Sequence, residues 1–368
     1  MKNYYIALQV LIMFFLYNLI VFYIGWNGWA WLAIAWPSLP LTFYITVVLI
    51  IAYSYIFGRI LHLPFFKIVG ACWFAVVQYG LLILPIANIA VLFLSFGEIP
   101  LDHVIFWTGV VVLLMLIFIF SIGLYNAYQP IVRSYQFIIN KKSERDSITI
   151  AVASDMHFGV LSGKSHLQRL VTKITELQPD LILLPGDIID DDPKPFMKKK
   201  MDSIMGKLKA PLGVYGVLGN HEYYGRAIPA FVQIMKDINI SILQDEIIEL
   251  DDLYIIGRKD KTDKNRKEIS QLVEGLDISK TLFMLDHQPS ELMQAEQHGV
   301  DVILSGHTHR GQMAPNHLIT KRIFELDWGY KQKSQLHAVV SSGYGFWGPP
   351  IRIGSRSEVV HITIHFQG

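Results

Sequence analysis

The sequence predicts two parts in series: a bundle of about four membrane-crossing helices, then an α/β domain formed as a two-sheet αββα sandwich. Three observations carry this. Up to residue 130 the only charged side chains are Lys2, Arg59, Lys67, Glu98 and Asp102, in a chain of 368 residues that is 52% hydrophobic and 17% charged. Taking those five from totals of 32 basic and 31 acidic side chains leaves 29 of each after residue 130, an ordinary soluble balance. Beyond residue 147, short apolar runs alternate with stretches of helical period, as in βαβ units, and the last third is richer in strands.

Crossing roughly 30 Å of hydrocarbon takes about 20 mostly apolar residues. Segments 4–24, 40–57, 68–96 and 104–124 meet that length, the third holding Pro85. The first is read as an anchor rather than a signal peptide, because it exceeds a typical apolar signal core and no small-residue cleavage site follows. Trp26, Trp29, Trp31 and Trp36 follow it and are read as an interfacial aromatic belt. Lys and Arg decide the orientation. Lys2, Arg59, Lys67 and the group Arg133, Lys141, Lys142 and Arg145 all fall on one side of a four-crossing layout, whereas the two opposite loops, about 25–39 and 97–103, hold none. The positive-inside rule places that side, and with it the α/β domain, in the cytoplasm, as expected for an inner-membrane protein.

The expected domains are a transmembrane region over 1–128, a polar linker over 129–147 and the α/β domain over 148–366. The final Phe366, Gln367 and Gly368 are set aside as a possible expression scar. The balanced soluble charge gives no basic stripe for nucleic acid. Single Cys72 excludes an intrachain disulfide.

Five apolar runs end at residues that bear chemistry. Run 148–154 precedes Asp155-Met156-His157, run 181–185 precedes Gly186-Asp187, and run 214–218 precedes Gly219-Asn220-His221-Glu222. Run 281–285 precedes His287, and run 301–305 precedes Gly306-His307-Thr308-His309. Further strands are expected at 337–342 and 358–366, and helices at 164–177, 195–208, 226–237, 265–275 and 289–298. Hard oxygen and imidazole donors on loops at strand C-terminal ends are where α/β sheets place their sites. In an extended segment Asp155 and His157 point to one side, as do His307 and His309.

This series resembles the calcineurin-like metallophosphoesterases, closest to a membrane-associated subgroup with Gly-His-Thr-His-x-Gly-Gln followed by Pro, here Gly306 to Gln312 and Pro315. The resemblance implies a hydrolase with two divalent metals. Asp155, His157, Asp187 and His309 would hold one, and Asp187, Asn220, His287 and His307 the other, with Asp187 as the bridge. Mixed nitrogen and oxygen donors without thiolate suit Mn first, with Fe or Zn also compatible. The resemblance makes His221 the substrate-phosphate ligand and general acid, beside Asn220; the other reading of His221 is a hydrogen-bonding side chain that orients the metal ligands. Arg310 stands where the subgroup often has Gly, either contacting a second substrate phosphate or serving as a solvated loop charge. Lys259-Asp260 stands where it often has Asp-Asp.

Two further stretches are open to two readings. Lys198 to Lys200 could lean on anionic headgroups or form a solvated helix face. The run Tyr344 to Pro350 is an aromatic loop beside the metal site, holding a ligand or covering the sheet. The expected partners are the bilayer and an amphiphilic phosphoester such as UDP-2,3-diacylglucosamine, with general phospholipid hydrolysis or a non-catalytic membrane module as the alternatives.

Overall fold

The computed structural model describes residues 2–61 and 63–368. Four helices come first: α1 (Lys2–Ala35), α2 (Leu41–Ile60), α3 (Pro64–Leu94) and α4 (Leu101–Tyr128). Each is long and apolar enough to cross a membrane. Phe14, Phe15, Phe43, Ile86 and Phe118 stand exposed on them, so the helices are apolar on their outer faces too, as lipid requires. Some of their polar groups meet one another between helices. Trp73 Nε1 donates to Tyr17 Oη, and Tyr53 Oη donates to Asn18 Oδ1 at 2.7 Å. The tryptophan-rich stretch expected as a loop is helical instead. No proline interrupts α1 before Pro37, so it runs on to Ala35 and the turn falls at 36–40.

The α/β domain begins at Gly123, within the last turns of α4. Its first strand, β1 (Ile131–Ile139), occupies the stretch expected as a linker. Arg133, Ser134 and Gln136 make that stretch read as polar, yet it buries Phe137 and Ile139 and pairs in parallel along its whole length with the last strand. Then follow β2 (Ser147–Val152), helix α5 (Lys164–Leu177), β3 (Leu181–Pro185), β4 (Val214–Val217) and β5 (Ser241–Leu243). The chain continues through β6 (Glu246–Leu250), β7 (Leu253–Gly257), β8 (Thr281–Leu285), β9 (Val302–Ser305), β10 (Gly329–Lys333), β11 (Leu336–Val340) and β12 (Glu358–Phe366). Phe366, set aside from the sequence, closes β12 opposite Ile139.

Two six-stranded sheets result, ordered β1-β12-β2-β3-β4-β5 and β10-β11-β9-β8-β7-β6. The β2, β3 and β4 strands run parallel in the first sheet, and β7, β8 and β9 in the second. Alternate residues face opposite layers. Ile150, Leu183, Phe283 and Leu304 fill the space between the sheets. Ala151, Ile182 and Leu184 pack with Leu167, Leu170 and Ile174 of α5. On the far face Ile256, Met284 and Ile303 pack with Leu272 and Leu292 from short helices. Strands covered on both faces read as unbroken apolar runs, which is why LILLP and TLFML stand out in the sequence.

Most expected helices form, α5 over the residues foreseen. The one expected at 195–208 is broken into Pro193–Lys198 and Asp202–Met205, with Lys200 left-handed at φ 50°. Lys199 is not part of a solvated helix face. Its Nζ donates to the carbonyls of Gly159 and Val160 at 2.7 and 3.1 Å.

Candidate metal centre

Loops beyond the ends of β2 and β3 extend the parallel pairing. Asp155 N–H donates to the Gly186 carbonyl, and His157 N–H to that of Asp187, each at 3.0 Å. The two motifs are thereby locked side by side. From the other sheet, Gly306 N–H donates to the His287 carbonyl at 2.9 Å, and His307 N–H to Asp155 Oδ1 at 2.8 Å, tying the β9 loop to both.

The backbone there is not extended, contrary to the sequence expectation. Asp155, His157, Asp187, His307 and His309 have φ of 51°, 45°, 51°, 70° and 48°. Such left-handed residues cost on the order of 1–3 kcal/mol each and persist only where the surroundings over-determine them. Asp155 and His157 still reach one cluster, through this twist rather than through strand alternation. Glycine spacing is equally tight, since a Cβ on Gly219 would overlap Asp187 Oδ1 and one on Gly306 would overlap Asp155 Oδ2.

All seven side chains expected as ligands converge. Asp155, His157 and His309 form one group and Asp187, His287 and His307 another, each with donor atoms within 4.8 Å. In the first, His157 Nε2 and His309 Nε2 are 3.0 Å apart, and Asp155 Oδ1 is 3.5 Å from the latter. In the second, Asn220 Oδ1 lies 2.8 Å from His307 Nδ1 and 3.2 Å from His287 Nε2. Asp187 Oδ2 joins the two, 3.2 Å from His287 Nε2 and 3.8 Å from His157 Nε2. Asp155 Oδ2 is buried without a partner. A buried, orphaned carboxylate oxygen among converging imidazoles is what divalent cations satisfy, so the donor set fits two such ions.

Electrostatics agree for three of the four imidazoles, whereas His287, lowered by burial but raised more by Asp187, stands well above the usual range. Burial holds the His157 imidazole down to about 3, and burial together with His287 lowers His307 to about 4. Burial, His157 and Arg352 also hold His309 well below the usual imidazole range. These three rings are neutral, as ligands must be. Burial pushes Asp155 up to about 6, whereas His287 overcomes the burial of Asp187 and keeps that carboxylate ionised. His287 Nδ1 lies 2.8 Å from the Pro185 carbonyl, a contact that needs Nδ1–H and aims Nε2 at Asp187.

Around this centre stand residues of a different kind. His221 Nδ1 is 2.8 Å from Asp191 Oδ1, and its ring meets His157 edge-on at 4.5 Å. Tyr224 and Trp347, about 60% exposed, have rings 5.6 and 6.5 Å from that of His221. The aromatic loop does lie beside the ligands, Tyr344 N–H donating to the Ser154 carbonyl and Gly345 N–H to that of Asp155. Tyr344 and Phe346 are buried cover, while Trp347 remains open. Arg310 is half-buried, its guanidinium 3.9 Å over the Trp328 ring, so it is not a solvated loop charge. Asp260 is buried and accepts from Gln288 Nε2, next to His287.

Sequence reasoning missed two groups. Arg352 is fully buried, its Nη2 donating to the Gly345 carbonyl at 2.6 Å and lying 3.2 Å from His309 Nδ1. No spacing rule points to it. Asp191 had a signal in the run Asp190-Asp191-Asp192 directly after β3's motif. Glu222 serves the backbone, accepting from the N–H groups of Gly219, Asp187 and Ile189.

Comparison with known proteins bears on this arrangement. The family model for calcineurin-like phosphoesterases matches residues 148–311. An uncharacterized metallophosphoesterase of Helicobacter pylori (strain ATCC 700392 / 26695) is 31% identical over 59% of this chain and 60% of its own. One from Aquifex aeolicus is 29% identical over 64% of this chain and 92% of its own. A transmembrane protein with metallophosphoesterase domain from Danio rerio is 28% identical over 66% of this chain and 59% of its own. The chain thus spans about 60% of the length of the first curated relatives it matches. This chain carries a calcineurin-like phosphoesterase domain over residues 148–311, preceded by four helices long and apolar enough to cross a membrane.

Proposed function

We propose that this chain is a membrane-anchored, dinuclear-metal hydrolase of phosphodiesters or pyrophosphates in lipid-linked substrates. The observation that carries the hydrolase reading is Asp187 Oδ2, poised between imidazoles of both ligand groups as a shared bridge requires. Asp155, His157, Asp187 and His309 would hold one cation, and Asp187, Asn220, His287 and His307 the other. Two bound cations, with Mn the first choice and Fe or Zn compatible with the donors, would supply a water ionised near neutral pH and positive charge facing the phosphoryl oxygens.

The protein's own groups do the rest. Asp191 orients His221 and, with Asp187 and Asp190, outweighs its burial and raises it to about 9, so it carries a proton to give to the departing oxygen. Asn220, its neighbour in sequence, positions the phosphate at the second ligand group. Arg258 and Arg266 clamp Asp286 at 3.0 and 3.1 Å, which fixes the backbone beside His287.

The substrate class rests on apolar surface. Tyr224 and Trp347 are exposed next to His221, and Leu318, Ile319 and Ile323 are exposed on the short helix His317–Ile323 that follows the last ligand loop. Such surface suits a substrate with a phosphorylated head and an acyl tail, of which a diacylated sugar nucleotide such as UDP-2,3-diacylglucosamine is the concrete form. The balance of 29 basic and 29 acidic side chains after residue 130 disfavours nucleic acid as substrate. The distribution of Lys and Arg supports a cytoplasmic catalytic domain at the inner membrane.

The test is purified full-length protein with Mn, assayed on a diacylated sugar nucleotide and its deacylated counterpart. The acylated substrate should be cleaved with the higher kcat/KM, the difference lying mainly in KM, because tail burial stabilises ground and transition states alike. Equal efficiency on both would reduce the reading to a tethered general phosphoesterase.

A further inference from the structure

We propose that Arg310 is a specificity-determining residue that grips a second phosphate of the substrate, next to the one undergoing hydrolysis. The proposal rests on the phosphoester reading above and narrows it to pyrophosphate-linked substrates. Arg310 directly follows the ligand His309, so its Cα is about 3.8 Å from that of a metal ligand. Its backbone is left-handed, at φ 50°, a conformation glycine adopts freely and a long side chain does not. A cation is thus kept where the backbone favours its absence.

The guanidinium is positioned but unspent. It lies 3.9 Å over Trp328, and its Nε is buried without a hydrogen-bond partner. No carboxylate pairs with it among the described residues. Its platform is rigid, with Trp328 Nε1 donating to the buried Glu358 at 3.2 Å. The neighbouring Thr308 Oγ1 donates to the Asp327 carbonyl at 2.5 Å and accepts from Arg310 N–H at 3.1 Å. Stacking on indole orients the planar fork and, with Nε buried, leaves the Nη N–H edge for an anion. A phosphate takes such a fork through two parallel hydrogen bonds.

The experiment measures binding rather than turnover. Full-length protein loaded with Mn, at matched free Mn, is titrated calorimetrically with inorganic pyrophosphate and separately with orthophosphate. Wild type should bind pyrophosphate the more tightly, and Arg310→Gly should weaken pyrophosphate by about tenfold or more while leaving orthophosphate within about twofold. Arg310→Gly should melt no earlier than wild type, since glycine removes the left-handed cost. Trp328→Leu, which keeps the guanidinium but removes its platform, should also weaken pyrophosphate selectively. Unchanged pyrophosphate affinity in both variants, or an equal loss for the two anions, would overturn the assignment. A wild type that cleaves no phosphoester would instead count against the catalytic reading, and the isotherms would still decide the role of Arg310.

Discussion

The Asp191 carboxylate and the His221 imidazole form a 2.8 Å contact through Nδ1, which leaves Nε2 as the nitrogen available to a substrate. Replacing His221 with Ala should retain bound metal while slowing turnover by about 10²-fold or more, the usual worth of a general acid. Loss of metal there, measured by elemental analysis, would make His221 a ligand. A general acid works below its pKa, and Asp191 raises that of His221. Asp191→Asn should therefore move the alkaline limb of the kcat profile to lower pH, and an unmoved limb would count against this pairing.

Asp187 is the residue on which both ligand groups depend. Asp187→Asn should lose metal and activity together, because a bridging carboxylate would neutralise both cations. Near-normal turnover with two metals per chain would falsify the dinuclear assignment.

Gly306 has no room for a methyl group. Gly306→Ala would press its Cβ into Asp155 Oδ2 and Ser154 Oγ, so it should destabilise the domain by about 1–3 kcal/mol and lower metal content. Thermal unfolding with and without added Mn checks this. An Ala variant as stable and as metal-replete as wild type would show that the loop after β9 has slack.

Topology can be read with reporters. A fusion after Gly368 should behave as cytoplasmic, while insertions near residues 38 and 98, in the turns after α1 and α3, should not. Alkaline phosphatase activity from the C-terminal fusion would sink the cytoplasmic placement and the diacylated sugar-nucleotide substrate with it.

The converging donors were legible because each follows an apolar run that two covering layers leave unmarked by polar alternation, as with Asp187 after LILLP. What escaped was decided by contacts between distant segments. The left-handed backbone at Asp155 and His157 has no glycine to announce it, since pairing with the loop after β3 imposes it. Arg352 acts from 43 positions beyond His309, and only the folded chain sets them side by side. The β1 strand was hidden by its charged and amide residues, although Arg133 pairs with Glu358 at 2.9 Å. The tryptophan-rich end of α1 looked like a turn because its composition suits an interface, but composition does not break a helix without Pro37.

That Arg133 to Glu358 pair spans 225 positions, and it has a consequence for biogenesis. The β12 strand lies between β1 and β2, so during synthesis β1 emerges first yet has no neighbour until residues 358–366 leave the ribosome. At roughly 5–20 residues per second, a nascent chain would carry that unpaired edge for on the order of ten seconds or more. Its covalent link to helices long enough to enter a bilayer would meanwhile keep the edge on separate, laterally dispersed chains. The last strand acts as a keystone, and its arrival rather than the formation of any ligand loop completes the first sheet.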